Sequence, residues 1–301
     1  MTGRNYLIYD VFTDEALKGN QLAIVLDCDG LDTEAMQSIA REFNLSETVF
    51  VSKPGNPGHA AAIRIFTPSH EMPFAGHPTV GTAAALAESR GMDGTAILVL
   101  EEKIGPVRCA VSHQERAPFA EFDMPRLSQE LDWTANVEAI AAALGIDHHE
   151  IGFENHRIGL WSAGVPYVCI PVRDLGVAAK LRVDSAQWLA LAPRLEGAIG
   201  DPYVYTRDTV NHDCDFHVRM FAPYSGIAED PATGSAAAAF SGAILKYDQP
   251  VDGPVQLWLE QGVEMGRPSR IRLEIDVDGQ KAKAARIGGH AVKVAEGKLF
   301  T

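Results

Sequence analysis

The sequence predicts an α+β protein of two pseudo-symmetric halves, each a barrel-like, strand-rich sheet wrapped around one central helix. Three observations carry this reading. Short β-branched or aromatic stretches bounded by Gly, Pro or Asp dominate the chain. Two segments, 82–90 and 235–247, are alanine-rich on every side, which requires a helix packed all round. Strand, loop and helix also recur. Arg64-Ile65-Phe66-Thr67-Pro68 precedes the first helix and Arg219-Met220-Phe221-Ala222-Pro223 the second, while His77-Pro78-Thr79-Val80-Gly81-Thr82-Ala83 aligns with Asp230-Pro231-Ala232-Thr233-Gly234-Ser235-Ala236. A unit repeated half a chain apart signals two similar domains.

The elements follow in order. Strand patterns fall at 6–12, 22–26, 48–51, 61–66, 96–100, 107–111, 119–124, 167–172, 216–220, 256–259 and 271–277. Met36, Ile39, Ala40 and Phe43 repeat at helical spacing after Asp32-Thr33, and Val137, Ile140, Ala141 and Leu144 do so between Thr134 and Gly145. A weaker echo, Gly19-Asn20-Gln21-Leu22-Ala23-Ile24-Val25 against Gly164-Val165-Pro166-Tyr167-Val168-Cys169-Ile170, keeps the halves in the same order. The polar stretch 125–130 after a strand sets the boundary, giving domains 1–127 and 128–301, with the closing strands compatible with either.

Composition narrows the function. With 301 residues, 46% hydrophobic and 22% charged, the chain can bury a large core and is not disordered. The net charge of −14 and the lack of any basic run argue against nucleic acid or an anionic membrane as partner. The start shows no apolar leader, and the longest nearly apolar run, 236–245, is too short to span a bilayer. Cys28, Cys109, Cys169 and Cys214 are scattered without a C-x-x-C, as in reduced cytoplasmic proteins. No G-x-G-x-x-G or Walker loop occurs, so there is no dinucleotide or ATP signature, and no metal-ligand spacing supports a metal site.

The loops ahead of the two alanine helices carry the chemistry. A helix N-terminus presents unpaired N–H groups and the positive dipole end, an anion site for a small carboxylate. Thr82 and Ser235 supply hydroxyls there, and each half adds one titratable group, His77 or Asp230. Glu47, just before the apolar Thr48-Val49-Phe50-Val51, is placed where partial desolvation would suit it to take and return a proton. Asp147-His148-His149-Glu150 and His212-Asp213-Cys214-Asp215 read as turns, and Ser162 misses the spacing of a hydrolase nucleophile.

At these residues the sequence resembles the PhzF-like proteins of phenazine biosynthesis, which share the diaminopimelate epimerase fold. The matching motifs are Asn44-Leu45-Ser46-Glu47-Thr48-Val49-Phe50-Val51, Met72-Pro73-Phe74-Ala75-Gly76-His77-Pro78-Thr79-Val80-Gly81-Thr82-Ala83 and Glu229-Asp230-Pro231-Ala232-Thr233-Gly234-Ser235-Ala236. Gln261-Gly262, Gly266-Arg267-Pro268-Ser269 and Gly288-Gly289-His290-Ala291-Val292 match the closing segment. The resemblance implies a cofactor-independent isomerase, a homodimer with its active site in the cleft between domains. It implies Glu47 as the proton carrier, His77 and Asp230 as partners of hydroxyl and amino groups, and Gly76 and Ser235, with Gly234 and Thr82 beside them, as the carboxylate site. Epimerases of this fold use two thiols at the helix-start loops, and neither 75–82 nor 228–235 holds a cysteine. The alternatives are an epimerase, racemase or lyase with Glu47 as its single base, or a non-catalytic metabolite-binding protein.

Overall fold

A computed structural model of the chain describes residues 3–92, 94–113, 116–195 and 198–300. Two compact units emerge, the first comprising Met1–Asp123 with Gly288–Thr301 and the second Met124–Ile287.

In the first unit the order is β1 (Gly3–Val11), β2 (Asn20–Val25), α1 (Thr33–Phe43), β3 (Glu47–Ser52), β4 (Ala61–Phe66), β5 (Glu71–Met72), α2 (Gly76–Ser89), β6 (Thr95–Glu102), β7 (Gly105–Ser112) and β8 (Phe119–Asp123). The second holds β9 (Gln129–Leu131), α3 (Val137–Leu144), β10 (Gly159–Ser162), β11 (Pro166–Pro171), α4 (Leu175–Lys180), α5 (Ser185–Leu191), a small pair β12 (Arg194–Leu195) and β13 (Ala198–Ile199), β14 (Asp201–Thr206), β15 (Phe216–Ala222), β16 (Ile227–Asp230), α6 (Gly234–Tyr247), β17 (Gly253–Gln261) and β18 (Ser269–Asp278). The long β19 (Lys281–Phe300) begins in the second unit and ends in the first.

The first unit closes into an eight-strand barrel, β1-β2-β3-β4-β6-β7-β8-β19, with β19 pairing back onto β1. Closure leaves no free edge along the ring. Inside it α2 is buried from Gly76 through Ala87, which its run of small side chains allows. A Cβ on Gly81 would lie 2.6 Å from Leu22 Cδ2 and 2.7 Å from Val11 Cγ2, so only glycine lets the helix approach β1 and β2 this closely. In the second unit β9-β10-β11-β14-β15-β17-β18-β19 form one curved sheet around α6. There Gly242 meets the Trp161 ring in the same way, 2.5 Å from Cε3 to a built Cβ.

The repeat extends to strand direction. β2 and β3 run parallel across α1, and β4 and β6 across α2. In the second unit β11 and β14 run parallel across α4 and α5, and β15 and β17 across α6. The R-x-F-x-P frames form matching clamps. Arg64 donates to both oxygens of Glu71 at 2.8 and 2.9 Å, and Arg219 to both of Glu229 at 2.8 Å each. Each guanidinium also stacks on the phenylalanine two residues on, Phe66 at 5.1 Å or Phe221 at 5.0 Å. Bidentate geometry of this kind pins strand to loop just ahead of each central helix.

The first central helix begins six residues earlier than the alanine pattern indicates, at Gly76 rather than Thr82. Pro78 conceals this in the sequence, yet proline is tolerated in a first turn because N–H groups there have no intrahelical acceptor. The second starts at Gly234, one residue before Ser235. At equivalent repeat positions, then, residues 230–233 are not helical while residues 77–80 are, and the two halves differ at the loops that matter chemically.

Candidate active site

Glu47 opens β3, its backbone in parallel register with Leu22 of β2. His77 is the second residue of α2, and burial of that helix inside the barrel carries its imidazole to β2, where Nδ1 lies 3.4 Å from Asn20 Nδ2. The same packing brings His77 Nε2 to 3.4 Å from Glu47 Oε2. His77 is 4% exposed, and loss of hydration outweighs a hydrogen bond with the Gln21 backbone to pull its pKa down to about 3. The imidazole is therefore neutral at physiological pH and offers one donor and one acceptor nitrogen. A mostly buried carboxyl group against a neutral, buried imidazole is an arrangement suited to proton transfer.

Thr79, one turn into α2, has its hydroxyl oxygen 2.7 Å from the Ala75 carbonyl and 2.8 Å from Glu102 Oε1. A hydroxyl has one proton, and the carbonyl can only accept. Burial pushes Glu102 up to about 8, so at neutral pH the protonated carboxyl donates to Thr79 while Thr79 donates to Ala75. This bond pattern holds the residue that caps α2 immediately before Gly76 and His77.

Thr82 does not lie at a helix start. It is in the second turn of α2, fully buried, and its hydroxyl has no hydrogen-bond partner among the described residues. The expectation of matching hydroxyls at two helix N-termini is corrected accordingly. The unpaired N–H groups of α2 belong instead to Gly76 and His77.

In the second unit Asp230 ends β16 and is 7% exposed. Its Oδ2 accepts from the Thr233 hydroxyl. Ser235, second in α6, shares a 2.7 Å hydrogen bond with the Tyr167 hydroxyl. Four helices, α1, α3, α4 and α5, carry an Asp or Asn whose side chain caps the N-terminus. The two central ones, α2 after Ala75 and α6 after Thr233, have no side-chain cap. Gly76 and Gly234 thus begin helices whose first N–H groups remain available to an anion. The structure brings Glu47 and His77 together within the first unit and sets Asp230, Gly234 and Ser235 along one loop and helix start within the second.

Sequence reasoning does not single out Asn20, Tyr167, Thr233 or Gln261. Asn20 lies in the weak echo, Thr233 in the P-x-x-G frame and Gln261 in the closing motif, so a signal exists, but no spacing rule ties them to the other candidates. The cysteines are Cys28, Cys109, Cys169 and Cys214. All four are buried, and burial raises each thiol, to about 11 for Cys28 and Cys214 and still higher for Cys109 and Cys169. Asp147, His148 and His149 place potential ligand atoms within 4.8 Å of one another on the surface, where Asp147 and Glu150 form the capping box of a short 3-10 turn. Asp215 accepts from the Trp258 N–H, a loop tie.

The profile of the PhzC-PhzF family, "Phenazine biosynthesis-like protein", matches residues 9–297. The chain belongs to this family. It is 65% identical to an uncharacterized isomerase of Mesorhizobium japonicum over 301 residues, covering 100% of both chains. It is 33% identical over 295 residues to trans-2,3-dihydro-3-hydroxyanthranilate isomerase of Pseudomonas aeruginosa, covering 98% of this chain and 99% of that one. The crystal structure of a PhzF-family phenazine biosynthesis protein from Bacillus anthracis superposes with a TM-score of 0.89 at 28% identity, covering 100% of each chain. The α+β fold and membership among isomerases follow from these likenesses, and the protein is an isomerase of this family. Among the described residues no helix is long and apolar enough to cross a membrane.

Proposed function

We propose that the protein moves a proton within a small cyclic or unsaturated amino or hydroxy carboxylic acid, in the manner of trans-2,3-dihydro-3-hydroxyanthranilate isomerase. The observation that carries this is the Glu47–His77 pair, a carboxylate 3.4 Å from a buried neutral imidazole at the head of a barrel strand. On such a substrate Glu47 removes the proton from the hydroxyl-bearing C3 and returns it to C1, and the enol so formed relaxes to the ketone. His77 meets the substrate hydroxyl without adding charge. Asp230 meets the amino group, and the N–H groups at Gly76, Gly234 and Ser235 receive the carboxylate, which the absence of a side-chain cap on α2 and α6 supports. The reaction needs no redox partner, since a proton leaves one carbon and arrives at another. A two-thiol racemase is disfavoured, because every cysteine is buried and held protonated.

An ultraviolet time course with trans-2,3-dihydro-3-hydroxyanthranilate tests the reading. Consumption of the diene chromophore is expected with the wild-type protein. Binding of the compound without any turnover would move the proposal to other unsaturated amino acids, and absence of binding would remove this substrate class.

A further inference from the structure

We propose that Gln261 is a positioning residue that acts through the Thr233 hydroxyl to hold Asp230 as an oriented, ionised acceptor. The proposal rests on the reading above that Asp230 meets the substrate.

The hydrogen-bond directions allow one arrangement. The Gln261 side chain is fully buried. Its Nε2 donates to the Asp230 carbonyl at 2.7 Å, and its Oε1 accepts from the Thr233 N–H at 3.1 Å. A carbonyl can only accept and an N–H can only donate, so the amide orientation is fixed by chemistry. The second Nε2 hydrogen then points to Thr233 Oγ1, 3.0 Å away. An amide NH₂ cannot accept, so the threonine oxygen receives this bond and its own proton goes to Asp230 Oδ2. Donation runs in one direction, from Gln261 to Thr233 to Asp230, and ends on an oxygen that must accept. A carboxylate oxygen does that best, and a donor aimed at the charged form favours that form.

Two further features fit a built relay rather than incidental packing. Thr233 is the N-cap residue of α6, a position where threonine ordinarily caps its own helix, yet its side chain makes no cap bond and is turned to Asp230 instead. The loop is also gripped from outside. Gly262, at φ +73°, lies where a Cβ would be 2.6 Å from the Pro231 carbonyl oxygen and 2.5 Å from that of Arg267, so a glycine next to Gln261 is what lets the strand end press on the 230–233 loop. The charged groups around the loop satisfy one another. Arg219 clamps Glu229 at 2.8 Å, His217 bridges Glu260 and Glu264 at 2.8 and 3.0 Å, and Glu264 lies 3.8 Å from Arg219. Thr233 is a neutral donor to Asp230 Oδ2.

The test follows the Asp230 carboxyl carbon by ¹³C NMR titration, its resonance identified by its loss in Asp230→Asn. Spectra are compared for the wild type, Thr233→Val, Thr233→Ser and Gln261→Glu, each checked for a folded spectrum. Thr233→Val is expected to raise the Asp230 midpoint by about one pH unit or more, and Thr233→Ser to restore it. Gln261→Glu is expected to raise it too once the introduced carboxyl ionises, because a carboxylate there would draw the threonine proton away. An Asp230 midpoint unchanged in Thr233→Val would overturn the relay whether or not a substrate is in hand. With the substrate proposed above, Thr233→Val should lower kcat by about 10-fold or more, mainly below the raised midpoint, and Thr233→Ser should recover it. Asp230→Asn at wild-type rate would defeat the functional reading and leave the titration result standing, so the two failures are distinguishable.

Discussion

At the scale of the residue, the chemistry turns on protonation states set by burial. His77 should stay neutral across the working pH range because its pKa is pulled to about 3. The sign for stability follows from linkage. The unfolded chain takes up a proton near the ordinary histidine value of 6.5 while the folded chain does not until about 3, so this residue's contribution to stability falls as pH drops from 6.5 towards 3. A ¹⁵N spectrum of the imidazoles at pH 5 should show His77 with one protonated and one bare nitrogen, and a doubly protonated ring at that pH would refute the assignment. Glu47 and His77 are legible in the sequence as residues of a motif. Their contact is not, because it depends on how far α2 sinks into the barrel beside β2, which is a matter of packing rather than spacing. Thr82 shows the opposite failure: the hydroxyl is plain in the sequence, and its burial in a second turn is hidden by Pro78.

At the scale of the element, the two central helices depend on close approach. Their alanines are readable as a sign of all-round packing, and the glycines among them mark the tightest points. Gly81→Ala would force a methyl group against Leu22 and Val11, and Gly242→Ala against Trp161 and Ser128. Each is expected to cost about 1–3 kcal/mol by overpacking, despite alanine's better helix propensity. Denaturant unfolding of the single variants checks this, and a variant as stable as the wild type would mean that the helix can shift without penalty. The elements that sequence patterns do not reveal have physical reasons. β14 begins Asp201-Pro202, which looks like a turn until its pairing with β11 and β15 is known. β19 is polar along much of its length and contains Gly288-Gly289, so strand propensity alone does not mark it. Its residues 291–300 extend because β1 supplies a partner along Gly3–Val11. α4 and α5 span six and seven residues, too short for a helical period to register.

At the scale of the whole molecule, the chain is a duplicated design whose copies have diverged at the helix-start loops. The strand order and the Arg–Glu clamps survive in both units, while the titratable residue is histidine, inside the first turn of α2, in one and aspartate, ahead of α6, in the other. The second unit carries a buried ionic cluster of His217, Glu260 and Glu264. Burial pulls His217 down, but hydrogen bonds to Glu260 and Glu264 win and raise it to about 9. A histidine raised in the folded state contributes stability fully below the ordinary value of 6.5, and that contribution is lost as pH rises through about 9. All four tryptophans, Trp133, Trp161, Trp188 and Trp258, lie in the second unit, so intrinsic fluorescence reports its melting. The melting temperature by fluorescence should fall between pH 7 and 9.5, and His217→Gln should flatten that fall. An equal decline in wild type and variant would assign it to other groups.

Proton transfer by Glu47 is the claim on which the proposed function stands. The most direct measurement is product formation from trans-2,3-dihydro-3-hydroxyanthranilate followed by NMR in H₂O and D₂O, with the wild type and Glu47→Gln side by side. A positioned acid and base contributes about 10²–10⁴-fold, so the variant should lose at least about two decades of rate while still binding the substrate. The proton at C1 of the wild-type product should trace to Glu47, with deuterium entering in proportion to its exchange with solvent. Turnover by Glu47→Gln at the wild-type rate would contradict this role.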